Sequence, residues 1–292
     1  MLDRSTIIGL FLGFSLIIGA IVLQGDIGLF ISLSSFIIVG GGIVAATMVS
    51  FSFENIKDSF AAISNLNDVQ SVDLRTDMEL LTMFARRVRN EGLLVLDSDI
   101  VHIKNAFIAN ALRLAVDGFK KDSLDSILRD EISGTDRQSE TSVNVMYAMA
   151  SYAPAFGMIG TVIGMILMLQ NIDNPASLGA GLSIALITTL YGTIFANMLL
   201  GPLAGKLEYL SEIDKNRKEM IRAGIISMVA GENPRIMEKK MLIYLEPSSR
   251  ARYTKYHEDL RISKERDEKF YKLWIEQQNK EWEDLKRILE TG

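Results

Sequence analysis

Residues 154–169 read PAFGMIGTVIGMILML, and this stretch decides what kind of protein the chain is. It has no charge and the hydropathy of a bilayer helix, which needs roughly 20 apolar residues to cross a ~30 Å hydrocarbon core. A plain lipid anchor would need only Leu, Ile and Val. This one opens on Pro154, carries Gly157, Gly160 and Gly164, and holds one hydroxyl, Thr161.

Working outward, four stretches are long enough to span. They run over about 5–24 (STIIGLFLGFSLIIGAIVLQ), 28–49 (GLFISLSSFIIVGGGIVAATMV), 145–170 (VMYAMASYAPAFGMIGTVIGMILMLQ) and 178–202 (LGAGLSIALITTLYGTIFANMLLGP). None contains Asp, Glu, Lys, Arg or His. The first run is too long for a signal peptide, lacks a small-residue cleavage site and meets a second span at once, so it reads as an anchor. Of the 31 basic residues, Arg4 is one, eleven lie between 50 and 144, and nineteen follow 202. The short connections QGDIG and NIDNPAS hold none. Basic residues gather on the cytoplasmic side, so both termini are expected inside.

The expected fold is all-α: a polytopic membrane protein with four transmembrane helices and a helical cytoplasmic domain. Residues 1–49 form a transmembrane hairpin, 50–144 a cytoplasmic insert, 145–202 a second hairpin, 203–250 a cytoplasmic extension of the fourth span, and 251–292 a charged amphipathic helix. In the insert, DMELLTMFARRVRNEG shows 3–4 apolar spacing and closes on Gly92. DIVHIKNAFIANALRLAVDG repeats that design as one helix closing on Gly118. DSLDSILRDEIS follows, with Asp122 as N-cap. From Asp136 one helix runs without a break into the third span, and the fourth continues until GENP stops it. In the tail, Tyr271, Trp274, Gln278, Trp282, Leu285 and Leu289 follow 3–4 spacing, as a surface helix, a short coiled coil or a docking site for another protein.

Composition excludes several functions. The absence of Cys excludes disulfides and thiolate metal sites, and a net charge of −5 gives no basic field for nucleic acid. No metal-ligand spacing and no phosphate loop is present, so no enzyme activity and no cofactor is expected. His102 falls on an amphipathic helix as a packed or half-exposed residue, and GGG at 40–42 is read as packing.

The third and fourth spans remain. Pro154, Gly157, Thr161 and Gly164 share one helical face. Gly181, Ala185, Thr188 or Thr189, Gly192 and Ala196 share another. Small residues at this spacing let membrane helices approach closely, with Thr bonding back to its own helix. The same hydroxyls also suit a polar path, with Thr161, Thr188 and Thr189 as its candidates. A conducted ion needs a carboxylate or a carbonyl cage. With no acid in any span, either nothing is conducted or a partner helix supplies the acid.

PAFGMIGTVIGM, DNPASLGAGLSIALITTLYGTIFAN, GENPR and RNEGLLVLDSDI together resemble the MotA/PomA/MotP family of flagellar stator subunits, over about residues 5–247. The ExbB and TolQ proteins, with three spans, are more distant relatives and offer an alternative: an ion-driven subunit powering another envelope process. The resemblance implies a homopentamer around two copies of a MotB/PomB-type partner. That partner has a single span, an essential Asp and a peptidoglycan-binding domain. The resemblance further implies ion flow through a shared channel in the inner membrane, and torque on the rotor protein FliG. Pro154 and Pro234 match the family's coupling prolines. Thr161 and Thr189 match threonines that face the partner's Asp in sodium-driven members. Arg89 and Asp97 match the rotor-facing pair, with Arg86 and Arg87 beside them. Hydroxyl and carbonyl oxygens suit Na⁺, so the transported ion is expected to be Na⁺, with H⁺ as the alternative. The tail beyond about 250 departs from the family.

Overall fold

The computed structural model describes residues 4–64, 74–170, 175–259 and 272–276. All regular structure among them is helical. In chain order the helices are α1 (Arg4–Gln24), α2 (Leu33–Phe36), α3 (Gly42–Ser50), α4 (Phe53–Ser64), α5 (Leu74–Glu91), α6 (Asp97–Ile100), α7 (Ala106–Val116), α8 (Lys121–Gln170), α9 (Pro175–Ile194), α10 (Gly201–Val229), α11 (Pro234–Leu242) and α12 (Pro247–Asp259). Short 3₁₀ turns cover Ile27–Phe30 and Leu93–Leu96, and π-helical turns cover Ile37–Gly41 and Phe195–Leu200. Among the described residues, four stretches are long and apolar enough to cross a membrane: Thr6–Leu23, Ile27–Ser50, and parts of Lys121–Gln170 and Leu178–Val229.

The chain divides into two units, Met1–Ser71 with Thr135–Ile213, and Val72–Gly134 with Asp214–Gly292. In the first, the core gathers Val39 and Ile43 of the second span, Val145, Met146 and Ala153 of the third, and Ala196, Leu200 and Ala204 of the fourth. The connection between the first two spans is short and self-capped. The Asp26 side chain accepts from Gly28 N, and Ser32 caps α2. Between them the backbone is extended at Ile31 and Ser32, which leaves groups without helical partners. Tyr191 supplies both: its hydroxyl donates to Phe30 O at 2.7 Å and accepts from Ser32 N at 3.1 Å. In a bilayer such groups must find protein partners, because no water is there to take their place.

Both π turns have local causes. Pro202 has no N–H to give Met198 O and its ring crowds that carbonyl. The helix widens just before it, where Gly201 N–H reaches Ala196 O. A Cβ at Gly201 would stand 2.8 Å from that oxygen, so a side chain there is excluded. In the second span the wide turn enters the GGG run. Gly42 is indeed packing: a Cβ there would lie 2.2 Å from the Phe156 ring.

In the second unit, α5, α7, the start of α8, the end of α10 and α11 enclose Met78, Leu81, Phe84, Leu112, Leu124, Met220 and Ile221. Arg217 closes on Asp77 with two hydrogen bonds, 2.6 and 3.2 Å long. Arg222 bonds Asp125 and Glu219, and Arg87 bonds Asp99. Burial raises the Asp125 carboxyl, but hydrogen bonds from Arg129 and Arg222 outweigh it and hold the group below its usual range. Gly92, Gly118 and Gly231 have φ of 88°, 85° and 67°, the left-handed region where glycine ends a helix at no steric cost.

Three local expectations are corrected. Residues 99–118 are not one helix. The chain turns at Val101–His102, and Asn105 starts α7 by accepting from Phe107 N and Ile108 N, so His102 lies in a turn. An Asn side chain offering two capping bonds outcompetes continued helix. Asp122 is not an N-cap: α8 begins at Lys121 and Asp122 lies in its first turn, where a negative charge suits the helix dipole. The helix into the third span starts at Lys121 rather than near Asp136. Of the tail pattern, Tyr271, Gln278, Trp282, Leu285 and Leu289 lie outside the described residues. Trp274 meets Phe84 edge-on at 6.0 Å.

Candidate functional site

Spans three and four pack backbone to backbone. A Cβ at Gly164 would come 2.6 Å from both Ala185 N and Gly181 O. One at Gly160 would strike the Thr188 side chain at 2.4 Å, and one at Gly192 would meet Ala153 O at 2.6 Å. The face that α8 turns to α9 is therefore Ala153, Gly157, Gly160 and Gly164. Pro154 is exposed and Thr161 half-buried, so both border that face rather than fill it. The helix passes through Pro154 without interruption.

The three candidate threonines separate accordingly. Thr188 is fully buried against Gly160, and its hydroxyl donates to Ile184 O and Ala185 O. Thr189 is exposed and donates to Ala185 O at 3.1 Å. Thr161 donates to Met158 O at 2.6 Å. A hydroxyl whose proton goes to its own backbone still has lone pairs to offer. Thr161 is half-buried and Thr189 exposed, so at neither position does the helix contact enclose the residue. At Thr188 the hydroxyl lies inside the helix contact.

A longer polar line continues below Thr189. Thr193 donates to Thr189 O at 2.8 Å, and Asn197 Nδ2 to Thr193 O at 3.2 Å. All three are exposed, at i, i+4 and i+8. Sequence reasoning stopped at Thr189, although this spacing in an apolar run was the available signal.

The charged candidates lie in the other unit. Arg89, in the last turn of α5, and Asp97, the first residue of α6, are both exposed. The Leu93–Leu96 turn stands between them, and no ion pair joins them. Arg86 is half-buried and engaged. Arg87 is held by Asp99, which is itself buried. Pro234 is buried as the first residue of α11, behind Asn233, which accepts from Arg235 N at 3.0 Å. Proline fits there because that N–H has no helical partner.

A family model described as the MotA/TolQ/ExbB proton channel family matches residues 99–220. Motility protein A of Aquifex aeolicus is 35% identical over 246 residues, covering 84% of this chain and 97% of that protein. The chain belongs to this family. It is also 33% identical to uncharacterized protein YtxD of Bacillus subtilis, over 90% of this chain and 96% of the relative. A solved structure of C. jejuni MotAB superposes with a TM-score of 0.78 at 28% identity, covering 84% of this chain and 97% of that one. The chain is an all-helical ion-channel subunit of the flagellar stator type. The motility protein and MotAB chain are covered almost whole, whereas about a sixth of this chain lies beyond each.

Proposed function

We propose that this chain forms the wall of an ion channel shared with a MotB/PomB-type single-span, peptidoglycan-binding partner, and turns ion flow into torque on the rotor protein FliG. The supporting observation is a pair of tightly packed spans with no carboxylate, which carry Thr161 and Thr189 outside their helix contact. A partner carboxylate completes such a path. The subunit acts as a homopentamer in the bacterial inner membrane, multi-pass with both termini cytoplasmic, which puts every Lys and Arg inside. It has no enzymatic chemistry of its own. Pro154 and Pro234 couple ion passage to movement, and Arg86, Arg89 and Asp97 face the rotor. The span division and the cytoplasmic insert follow the sequence bounds given above.

The coupling ion in this reading is Na⁺, because two neutral hydroxyl oxygens are hard ligands for a metal cation, whereas a proton needs only the acid. Swimming of a strain relying on this chain and its partner is measured against Na⁺ concentration at fixed pH, with and without a proton uncoupler. Speed should rise with Na⁺ and survive the uncoupler. Speed that ignores Na⁺ and collapses with the uncoupler makes the ion H⁺. A strain lacking the chain should keep flagella and lose swimming; normal swimming would refute the stator role.

A further inference from the structure

An ion leaving the Thr161 and Thr189 surfaces meets no acid within the spans. Beyond them on the fourth-span helix, the first acid is Glu208, and it accepts a 2.6 Å hydrogen bond from the hydroxyl of Tyr147 on the third. Tyr147 is 42% exposed and Glu208 is exposed as well, so this chain itself does not enclose the pair.

Helical phase places both groups on the hydroxyl-bearing faces. Tyr147 precedes Thr161 by fourteen residues, close to four turns at about 3.6 residues per turn. Glu208 follows Thr189 by nineteen residues, which in a uniform α-helix would leave it about 100° off that face. The π turn at Phe195–Leu200 absorbs one residue. The remaining eighteen make about five whole turns, and Glu208 comes back beneath Thr189. The hydrogen bond itself is independent evidence that the two faces converge. Gly205 lies beside the pair: a Cβ there would make ordinary contact with the Tyr147 hydroxyl, at 3.7 Å.

We propose that Glu208, positioned by Tyr147, is the ion-release site of the channel. It is a carboxylate at the cytoplasmic end of the walls that takes the monovalent cation from the threonine face and yields it to water. The proposal rests on the stator reading. Glu208 is negative before the cation arrives and after it leaves, so nothing but the cation is exchanged. Tyr147 is a positioning residue: its O–H fixes one carboxylate oxygen and leaves the other free.

The test uses the full chain with its partner in a strain lacking the native copy, and follows single-motor speed against load. Release limits speed only when turnover is fast, so Glu208→Gln should cut low-load speed by about tenfold, one decade in rate, while stall torque and membrane abundance hold. Glu208→Asp should restore most of the speed, and Tyr147→Phe should fall between. Low-load speed equal to wild type in Glu208→Gln overturns the proposal. So does an equal loss at all loads in the Gln and Asp variants, which marks a structural role. A wild-type chain that restores no rotation would refute the stator reading instead.

Discussion

Gly164 gives the sharpest test of the span-three to span-four contact. A methyl added there would lie 2.6 Å from Ala185 N and from Gly181 O, both backbone atoms that cannot rotate away. Ordinary contact lies near 3.5 Å, so Gly164→Ala forces the helices apart locally by about 0.9 Å. Overpacking of this kind costs about 1–3 kcal/mol. Part of the strain cannot relax, because the contact is close from the other side too: a Cβ at Gly181 would lie 2.8 Å from Gly164 O and from Met168 N. The comparison is Gly179→Ala on the same fourth-span helix, where nothing lies within 4 Å. Both variants gain a methyl and lose glycine's backbone freedom, so the difference between them isolates the contact. Thermal unfolding of the detergent-purified protein, followed by loss of the monodisperse peak, should show Gly164→Ala melting several degrees lower and Gly179→Ala unchanged or higher. Equal melting points would refute the close backbone approach.

Other expectations concern charge. Arg217→Ala strips Asp77 of a bidentate partner in a place where the two side chains are 19% and 9% exposed. Leaving a nearly buried carboxylate unpaired should cost about 3 kcal/mol, visible in a denaturant titration, and restored stability in Arg217→Ala/Asp77→Ala would attribute the loss to the pair. The hydrogen bond from Lys240 holds the Glu232 carboxyl below its ordinary range. Its stabilisation is complete above the unfolded-state value and disappears as pH falls through the depressed one. Lys240→Met should therefore be less stable than wild type at neutral pH, with the gap closing in acid; a gap constant with pH would contradict the pairing. Arg89→Glu and Asp97→Lys should each cut swimming speed by about half and partly compensate when combined, because exposed charges act by complementarity with a partner. Full torque in both single variants would remove them from the rotor contact.

The spans were legible because an uncharged apolar run of that length has few other uses in a protein this rich in charge. The α5 helix was legible for a related reason, since its apolar period is unbroken from Met78 to Val88. What escaped was the local competition. At residues 99–118 the apolar period continues through Asn105, and only the side chain's two bonds to the following N–H groups turn that position into a beginning. The π turns escaped because a periodicity argument assumes a constant turn, although Gly201-Pro202 marks where it fails. Thr188 and Thr189 are neighbours about 100° apart. Both satisfy a motif, and only the close approach of Gly160 decides which one is enclosed. The Tyr147–Glu208 bond joins positions too distant in sequence for a spacing rule to reach.

The Tyr191 hydroxyl also sets an order of assembly. It closes bonds across 159 and 161 residues of chain, to a connection synthesised that much earlier. At roughly 5–20 residues per second, the first hairpin waits on the order of 8–32 seconds before its final two partners exist. Until then Phe30 O and Ser32 N must be satisfied by water or by the insertion machinery. The first hairpin thus completes its own turn only when the second arrives beside it, and biogenesis of the two is coupled through one phenol.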